Sequence, residues 1–462
     1  MNEELSTQAI KTILDEGAEF ADIRIERTRL VRLEVIDGEV KEASSALIRG
    51  AGLRAFLGGA WAFSQTSDLT IGGMVEAGKL VTQVARMTSK TVKDQFELQG
   101  PTFTGKASHP TVTSLREVSM EEKVGFLKEL NETSSTTDES IVRARTTYDE
   151  QTVDVFVANS FGTEVAMSLS LPQLKVFAIA RKGARSHRGF DVLGGSGGYE
   201  VVSGDAAFES AQKAPSLAAK LLESRQSKGG VQDIIIDPDL TGVLAHEAFG
   251  HACEADNWTS KGSVFIDKFQ QRLGIEDITI IDDPTRKGLR GSFEYDWEGT
   301  KSKKRVLIKK GILNELLHTL GTSSQLDMVP NGAARSQSFM YEPIPRMGVT
   351  LVEPGNWTLD EMISDMKTGL LMCGVGGGYT LSDKGQFMFR STHGYEIENG
   401  ELGQMIHGAS MVGLHLDTLS KIDAVGNDVD LYSGTCGKSA QHVPDTSGGP
   451  PLRLREMNVG GA

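Results

Sequence analysis

Hydrophobic positions first recur at helical spacing. Between Glu4 and Glu16 they fall at Leu5, Ala9, Ile10, Ile13 and Leu14, and Gly17 then supplies a C-terminal cap, which predicts an amphipathic opening helix. From Ala21 the period drops to two, over residues 22–27 and again over 31–35, with Asp37-Gly38 as a hairpin turn. Further strands are expected at 46–50, 52–57 and 61–63, an antiparallel meander covered on one face by a helix around 74–87. Residues 98–114 show little periodicity and read as a surface connection. A charged helix near 120–130 precedes alternating stretches at 141–148, 152–158 and 164–171, which form a second antiparallel set.

The alanine- and leucine-rich stretch 205–225 is interrupted by Pro215, which predicts a kinked or split helix. Ser227-Lys228-Gly229-Gly230 reads as a domain boundary. Beyond it, dense turn signals separate short strands at 279–281, 305–308, 347–352, 386–390 and 395–397, with helices after Asp360 and over 402–419. The pattern describes an α+β protein of two domains. Residues 1–228 form an N-terminal antiparallel sheet with helices, and residues 229–462 form a sheet-rich C-terminal domain that carries the candidate chemistry.

A chain of 462 residues is long enough for two cores. No apolar run approaches the roughly 20 residues of a membrane span, and the acidic start lacks a secretory pattern, so a cytoplasmic protein without membrane association is expected. Three widely spaced cysteines make no disulfide framework and suit a reducing compartment. A net charge of −14 repels phosphate backbones. The one basic cluster, Lys301 to Arg305, reads as a solvated turn before a strand, so nucleic acid is not an expected partner. Gly194 to Gly198 lacks the Lys-Ser/Thr of a phosphate loop and reads as a flexible connection.

The candidate chemistry lies just past the boundary. The apolar strand Asp233-Ile234-Ile235-Ile236 runs into Asp237-Pro238, an N-cap followed by proline at the first helical position. The helix so begun carries His246-Glu247-Ala248-Phe249-Gly250-His251. Imidazoles are common zinc ligands, and a neighbouring free carboxylate can take a proton from water. Five residues at about 100° each set the two histidines roughly 140° apart on an ideal helix, too divergent for one cation. A one-residue π-bulge restores a shared face, and Gly250 offers a permissive backbone for it. A third ligand must come from elsewhere. Cys436 stands between Gly434 and Gly437, where bare backbone can approach closely, whereas Cys253 points about 200° away from His251 on a continuing helix and should pack into the core. Cys373, His393, His407, His415 and His442 are the other candidates. Glu254 either orients an imidazole or makes a cap contact. Arg335 and Arg346 either bind a peptide carboxylate or make structural ion pairs.

Together with Glu254 and Asp256, the histidine block resembles the signature of the TldD/PmbA family of metallopeptidases. Gly291-Ser292-Phe293, Asp296-Trp297-Glu298-Gly299, Pro345-Arg346-Met347, Gly376-Gly377-Gly378 and Gly434-Thr435-Cys436-Gly437-Lys438 follow in the family's order and approximate spacing. The intact histidine motif resembles the catalytic TldD type, since PmbA-like (TldE) members lack it. The resemblance implies one Zn2+ held by His246, His251 and Cys436, with Glu247 as general base. It implies hydrolysis of short or unfolded peptides, and a homodimer or a heterodimer with a PmbA/TldE-like subunit. The alternative reading, a metal-containing partner-binding or regulatory protein without proteolytic activity, fits a structural zinc, but such a site is normally closed by four protein ligands.

Overall fold

The structure, a computed structural model, describes residues 2–381 and 384–461. The chain opens with α1 (Asn2–Asp15), then β1 (Phe20–Ile36), β2 (Glu39–Leu57), β3 (Ala60–Thr66) and α2 (Ile71–Ser89). There follow β4 (Thr104–Ser108), α3 (Met120–Thr136), β5 (Ile141–Asn159), β6 (Glu164–Lys182), β7 (Arg185–Gly194) and α4 (Asp205–Leu221). These strands make a single seven-stranded sheet in the order β3-β2-β1-β5-β6-β4, with β7 also on β6. The expected second antiparallel set is therefore the other half of the first sheet: Ile25 of β1 pairs with Ala51 on one side and Phe156 on the other.

Alternation along β1 divides the two faces. Ile23, Ile25, Val31, Leu33 and Val35 pack under the helices, α1 and α2 at one end and α3 and α4 at the other. Asp22, Arg24 and Glu26 face the opposite way and are buried as well. On that second face Val153, Val155 and Leu169 meet Phe293, Tyr295 and Trp297 from the C-terminal half. Two expectations fail in this region. The 98–114 stretch contains β4, which pairs in parallel with β6 and so takes its strand character from a distant partner. The α4 helix is not split at Pro215 but continues through it to Leu221, because burial of Ala207, Ala211, Ala214 and Ala218 offsets the roughly 3 kcal/mol that an internal proline costs.

The C-terminal half begins with β8 (Arg225–Gln226), β9 (Gly230–Ile236) and α5 (Pro238–Val243). Strand Thr368–Leu381 pairs with β9 on one side and with Gln386–Glu398 on the other, which closes an eight-stranded sheet upon itself. The helix expected over 402–419 is replaced by strands Glu401–His407 and Ser410–Leu414 of this sheet, and only His415–Lys421 is helical. A six-stranded sheet ends in the hairpin Asp430–Lys438 and Gln441–Gly449. The motif helix lies between these two sheets, with Leu240, Leu244, Ala248 and Phe249 in one core with Ile236, Met372, Phe389 and Ile280. Among the described residues no helix is long and apolar enough to cross a membrane.

Candidate metal centre

The Asp237 side chain caps α5 by accepting from the Leu240 amide at 3.0 Å, and its other oxygen accepts from the Gly374 amide at 2.7 Å. The cap thus ties the helix start to the closed sheet. From Leu244 to Gly250 the helix is a π-helix, and the His251 amide donates to the His246 carbonyl, the i→i+5 bond that the spacing requires. Gly250 has ordinary right-handed helical angles, so freedom of φ is not its role. A Cβ there would lie 2.0 Å from Met347 Sδ, so the glycine admits the buried Met347 side chain against the turn.

The widened turn brings both imidazoles to one side, ring centroids 5.1 Å apart and the rings nearly perpendicular at 88°. Cys436 arrives from the hairpin strand, its Sγ 3.5 Å from His251 Nε2. One donor atom from each of His246, His251 and Cys436 lies within 4.8 Å of the others, and all three residues are buried. Behind each ring stands a carboxylate. His251 Nδ1 is 2.8 Å from Glu254 Oε2, and His246 Nδ1 is 3.4 Å from Asp445 Oδ2. The Glu254 bond fixes which His251 nitrogen carries the proton and leaves the other free to ligate, while Asp445 stands beside His246 as a counter-charge. Glu247 sits at the rim, a third of its side chain exposed, with Oε2 3.8 Å from His251 Nε2.

The remaining candidates lie elsewhere. Cys253 packs in the core with Leu244 and Phe249, and burial pushes its thiol up. Cys373 packs with Ile235 and Met362, its thiol likewise raised by burial. His393 bonds Thr392, His407 bonds Ser224, His415 bonds Thr380, and His442 is exposed on the hairpin. Arg346 donates to the Cys436 carbonyl at 2.6 Å, and Arg335 to the carbonyls of Met347 and Pro444 at 2.6 and 2.7 Å. Both arginines brace backbone around the thiolate instead of meeting carboxylates. In the basic cluster Lys303 pairs with Glu315, Lys304 with Glu353 and Arg305 with buried Asp282.

Sequence reasoning missed Asp445 and the part played by Lys438. Asp445 faces Gly434 across the hairpin, two positions along from the Cys436–Val443 pair, and a Cβ on Gly434 would lie 2.8 Å from its Oδ1. Lys438 reaches Glu254 and Asp256. Alternation along the 434–445 segment would reveal both residues, provided the hairpin is recognised first.

Electrostatics supply the test of whether a cation fits. Burial would depress His246, but the Cys436 thiolate and Asp445 outweigh it and raise the ring to about 9. His251 is held well above its usual value despite burial, by Glu254 and Cys436. Burial would raise the Cys436 thiol, yet the two imidazoles bring it well below the ordinary range. Glu254, despite burial, is brought down to about 2 by His251 and Lys438. Both His246 ring nitrogens are buried without a hydrogen bond, and a two-imidazole, one-thiolate set matches zinc. The residues therefore fit the ion.

Known proteins resemble this chain over its whole length. Profiles of the PmbA/TldA metallopeptidase match in three parts: domain 1 over residues 21–85, the central domain over 113–224 and the C-terminal domain over 229–461. A metalloprotease of Methanothermobacter thermautotrophicus is 32% identical, with 99% of this chain and 100% of that one covered. A zinc metalloprotease TldD homolog of Saccharolobus solfataricus is 27% identical over 98% and 99%. Among crystal structures, a candidate modulator of a DNA gyrase from Thermotoga maritima superposes with a TM-score of 0.81 at 22% identity, with all of both chains covered. TldE from Thermococcus kodakarensis gives 0.78 at 16%, over 99% of this chain and 100% of that one. The chain belongs to the PmbA/TldD metallopeptidase family.

Proposed function

We propose that this PmbA/TldD-family protein is a zinc-dependent peptidase of the TldD type, with His246, His251 and Cys436 holding one Zn2+ and Glu247 acting as general base. The observation that carries this reading is the convergence of two imidazoles and a thiolate, each imidazole backed by its own carboxylate, beside a partly exposed glutamate outside the donor set. Three protein donors suit a catalytic zinc, which keeps a position open. A zinc ion there would supply Lewis acidity toward the scissile carbonyl and the attacking water. Glu247 accepts the proton that the water loses as it attacks the carbonyl carbon, and returns it to the amine nitrogen as the C–N bond breaks. Glu254 holds the His251 ring in orientation throughout, and Asp445 supplies the negative charge beside His246.

The donors are buried, so a peptide bond reaches them only in a chain free to extend, which favours short or unfolded peptides over folded domains. Pairing with a TldE-like subunit or with a second copy, in the cytoplasm, belongs to the same proposal and follows from the family resemblance. Glu247 argues against the regulatory reading, because a purely structural site gives a carboxylate at the rim nothing to do. Cleavage of an unfolded peptide and zinc content, measured on the same preparation of wild type and Glu247→Ala, test the proposal. The variant should keep its zinc and lose about 10²–10⁴-fold in rate. Undiminished cleavage would refute the general-base role, and equal cleavage of a tightly folded domain would refute selection by access.

A further inference from the structure

Lys438 is partly buried at the back of the centre, 13% of its side chain exposed, two residues beyond Cys436 on the same strand and the same face. An ammonium group has three N–H donors and no acceptor. Here Nζ donates to Asp256 Oδ1 at 2.7 Å and to the Pro345 carbonyl at 3.3 Å, and forms an ion pair with Glu254 Oε2 at 3.0 Å. The Glu254 oxygen that Lys438 holds is the one that meets His251 Nδ1 at 2.8 Å, and Glu254 is fully buried. The strand that carries the thiolate is thus joined to the segment that carries the second imidazole by a route that bypasses the donor atoms.

We infer that Lys438 is a positioning residue for the metal centre: through Glu254 it fixes the orientation of His251 and the separation of His251 from Cys436. The inference rests on the metal reading above and adds a residue to it. Three features support a brace over a general packing role. The contacts tie two other segments, 254–256 and the short strand Ile344–Pro345, to the hairpin strand that carries the lysine, so the ammonium fixes relative position as well as charge. Glu254 Oε2 bonds His251 and forms an ion pair with Lys438 while its Oε1 is buried without a hydrogen bond, so loss of the lysine leaves that carboxylate bonded to the imidazole and without its ion-pair partner. Arginine cannot substitute, because its planar fork presents donors in one plane whereas these acceptors surround a point.

The test uses the full chain as wild type, Lys438→Met, Glu254→Gln and the double variant. Lys438→Met keeps the apolar stem, and the double variant removes both charges, so that neither is left unopposed. Zinc affinity is read by chelator competition, the Cys436 thiolate by the charge-transfer band of the cobalt(II)-substituted protein, and the fold by circular dichroism of the metal-free protein. Each single change should weaken zinc binding by about 10–100-fold, the usual effect of removing a group that supports a ligand. The double variant should be no weaker than the worse single, because the lysine acts through the glutamate. The cobalt band should shift in Lys438→Met while the dichroism spectrum stays that of wild type. Lys438→Met with wild-type affinity and an unshifted band, or a double variant weakened by the product of the two single factors, would overturn the brace while leaving the metal site standing. A wild-type protein that takes up neither zinc nor cobalt would instead overturn the metal reading itself, and the brace with it.

Discussion

Gly242 is where the motif helix touches the sheet that carries the thiolate, and one methyl group there should be felt at the metal. A Cβ on Gly242 would lie 2.5 Å from the Gly448 nitrogen, 2.7 Å from its Cα and 2.8 Å from the Ser447 carbonyl carbon. These are backbone atoms of a paired strand and cannot rotate away. Reaching ordinary contact near 3.5 Å moves helix and strand apart by roughly 1 Å. Two effects oppose each other in Gly242→Ala. Helix propensity favours alanine by about 1 kcal/mol, whereas overpacking a closed interface costs about 1–3 kcal/mol. The overpacking should win, with a net loss of up to about 2 kcal/mol. Function should suffer more than stability. His246 follows four residues later, while Cys436 and Asp445 lie on the hairpin being pushed away, and a preorganised site tolerates only about 0.5 Å. Gly125→Ala is the control, since Gly125 lies on the exposed face of α3 with nothing within 4 Å of the added Cβ, and there the same substitution should stabilise by about 1 kcal/mol. Thermal unfolding and zinc affinity are measured for both. Gly242→Ala should unfold below wild type and bind zinc at least tenfold more weakly, and Gly125→Ala should unfold above it with unchanged affinity. If both variants gain stability and both hold zinc like wild type, the close contact does not position the centre.

Cys436→Ala should lose zinc and activity, whereas Cys253→Ala, deep in the core, should keep both at a stability cost of about 1 kcal/mol; zinc analysis of the two purified variants decides, and the opposite pattern would reverse the assignment. His318 is buried with its ring against Thr322, and burial lowers it to about 4 from an ordinary 6.5. Its folded value is the depressed one, so above about 6.5 the ring is neutral in both states and costs nothing. As pH falls through the window from 6.5 to 4 the unfolded chain takes up the proton first, so stability declines there and levels off below, by on the order of 3 kcal/mol at most. Stability measured against pH for wild type and His318→Gln should differ by an amount that changes across that window, and a constant difference would refute the assignment.

The strands of the N-terminal sheet were legible where one face meets helices, because burial there imposes the two-residue period on Ile23, Ile25, Val31, Leu33 and Val35. Their lengths were not. The Gly50-Ala51-Gly52 step looks like a break between two strands, yet β2 runs straight through it. The glycines answer a distant segment: a Cβ on Gly50 would lie 2.3 Å from the Phe339 ring, and one on Gly52 would lie 2.6 Å from the Phe339 carbonyl oxygen. A packing requirement set almost 300 residues away cannot be told from turn chemistry in a single sequence. The 402–419 stretch fails for a related reason. Its apolar residues suit either period, and pairing within the closed sheet chooses the strand.

The centre divides in the same way. The histidine motif was readable because its strain is local: a His-Glu-x-x-x-His spacing on a capped helix demands the π-turn that the structure contains. Cys436 entered through glycine flanks and resemblance, but its supporting partners could not, because the turn that folds the hairpin gives no sequence signal. Ser439 and Ala440 both have positive φ, 50° and 58°, the conformation of a two-residue turn normally marked by asparagine or glycine. Only the resulting register places Cys436, Lys438 and Asp445 on one face, toward His251, Glu254 and His246 in turn. Because the side-chain period of a strand is two, slipping that hairpin by one residue would turn all three away at once, removing the thiolate, the brace and the carboxylate behind His246 together. The tight packing of Gly242 on Gly448 and the Arg346 bond to the Cys436 carbonyl therefore act on chemistry as well as on stability, since they hold the one register in which the donors meet.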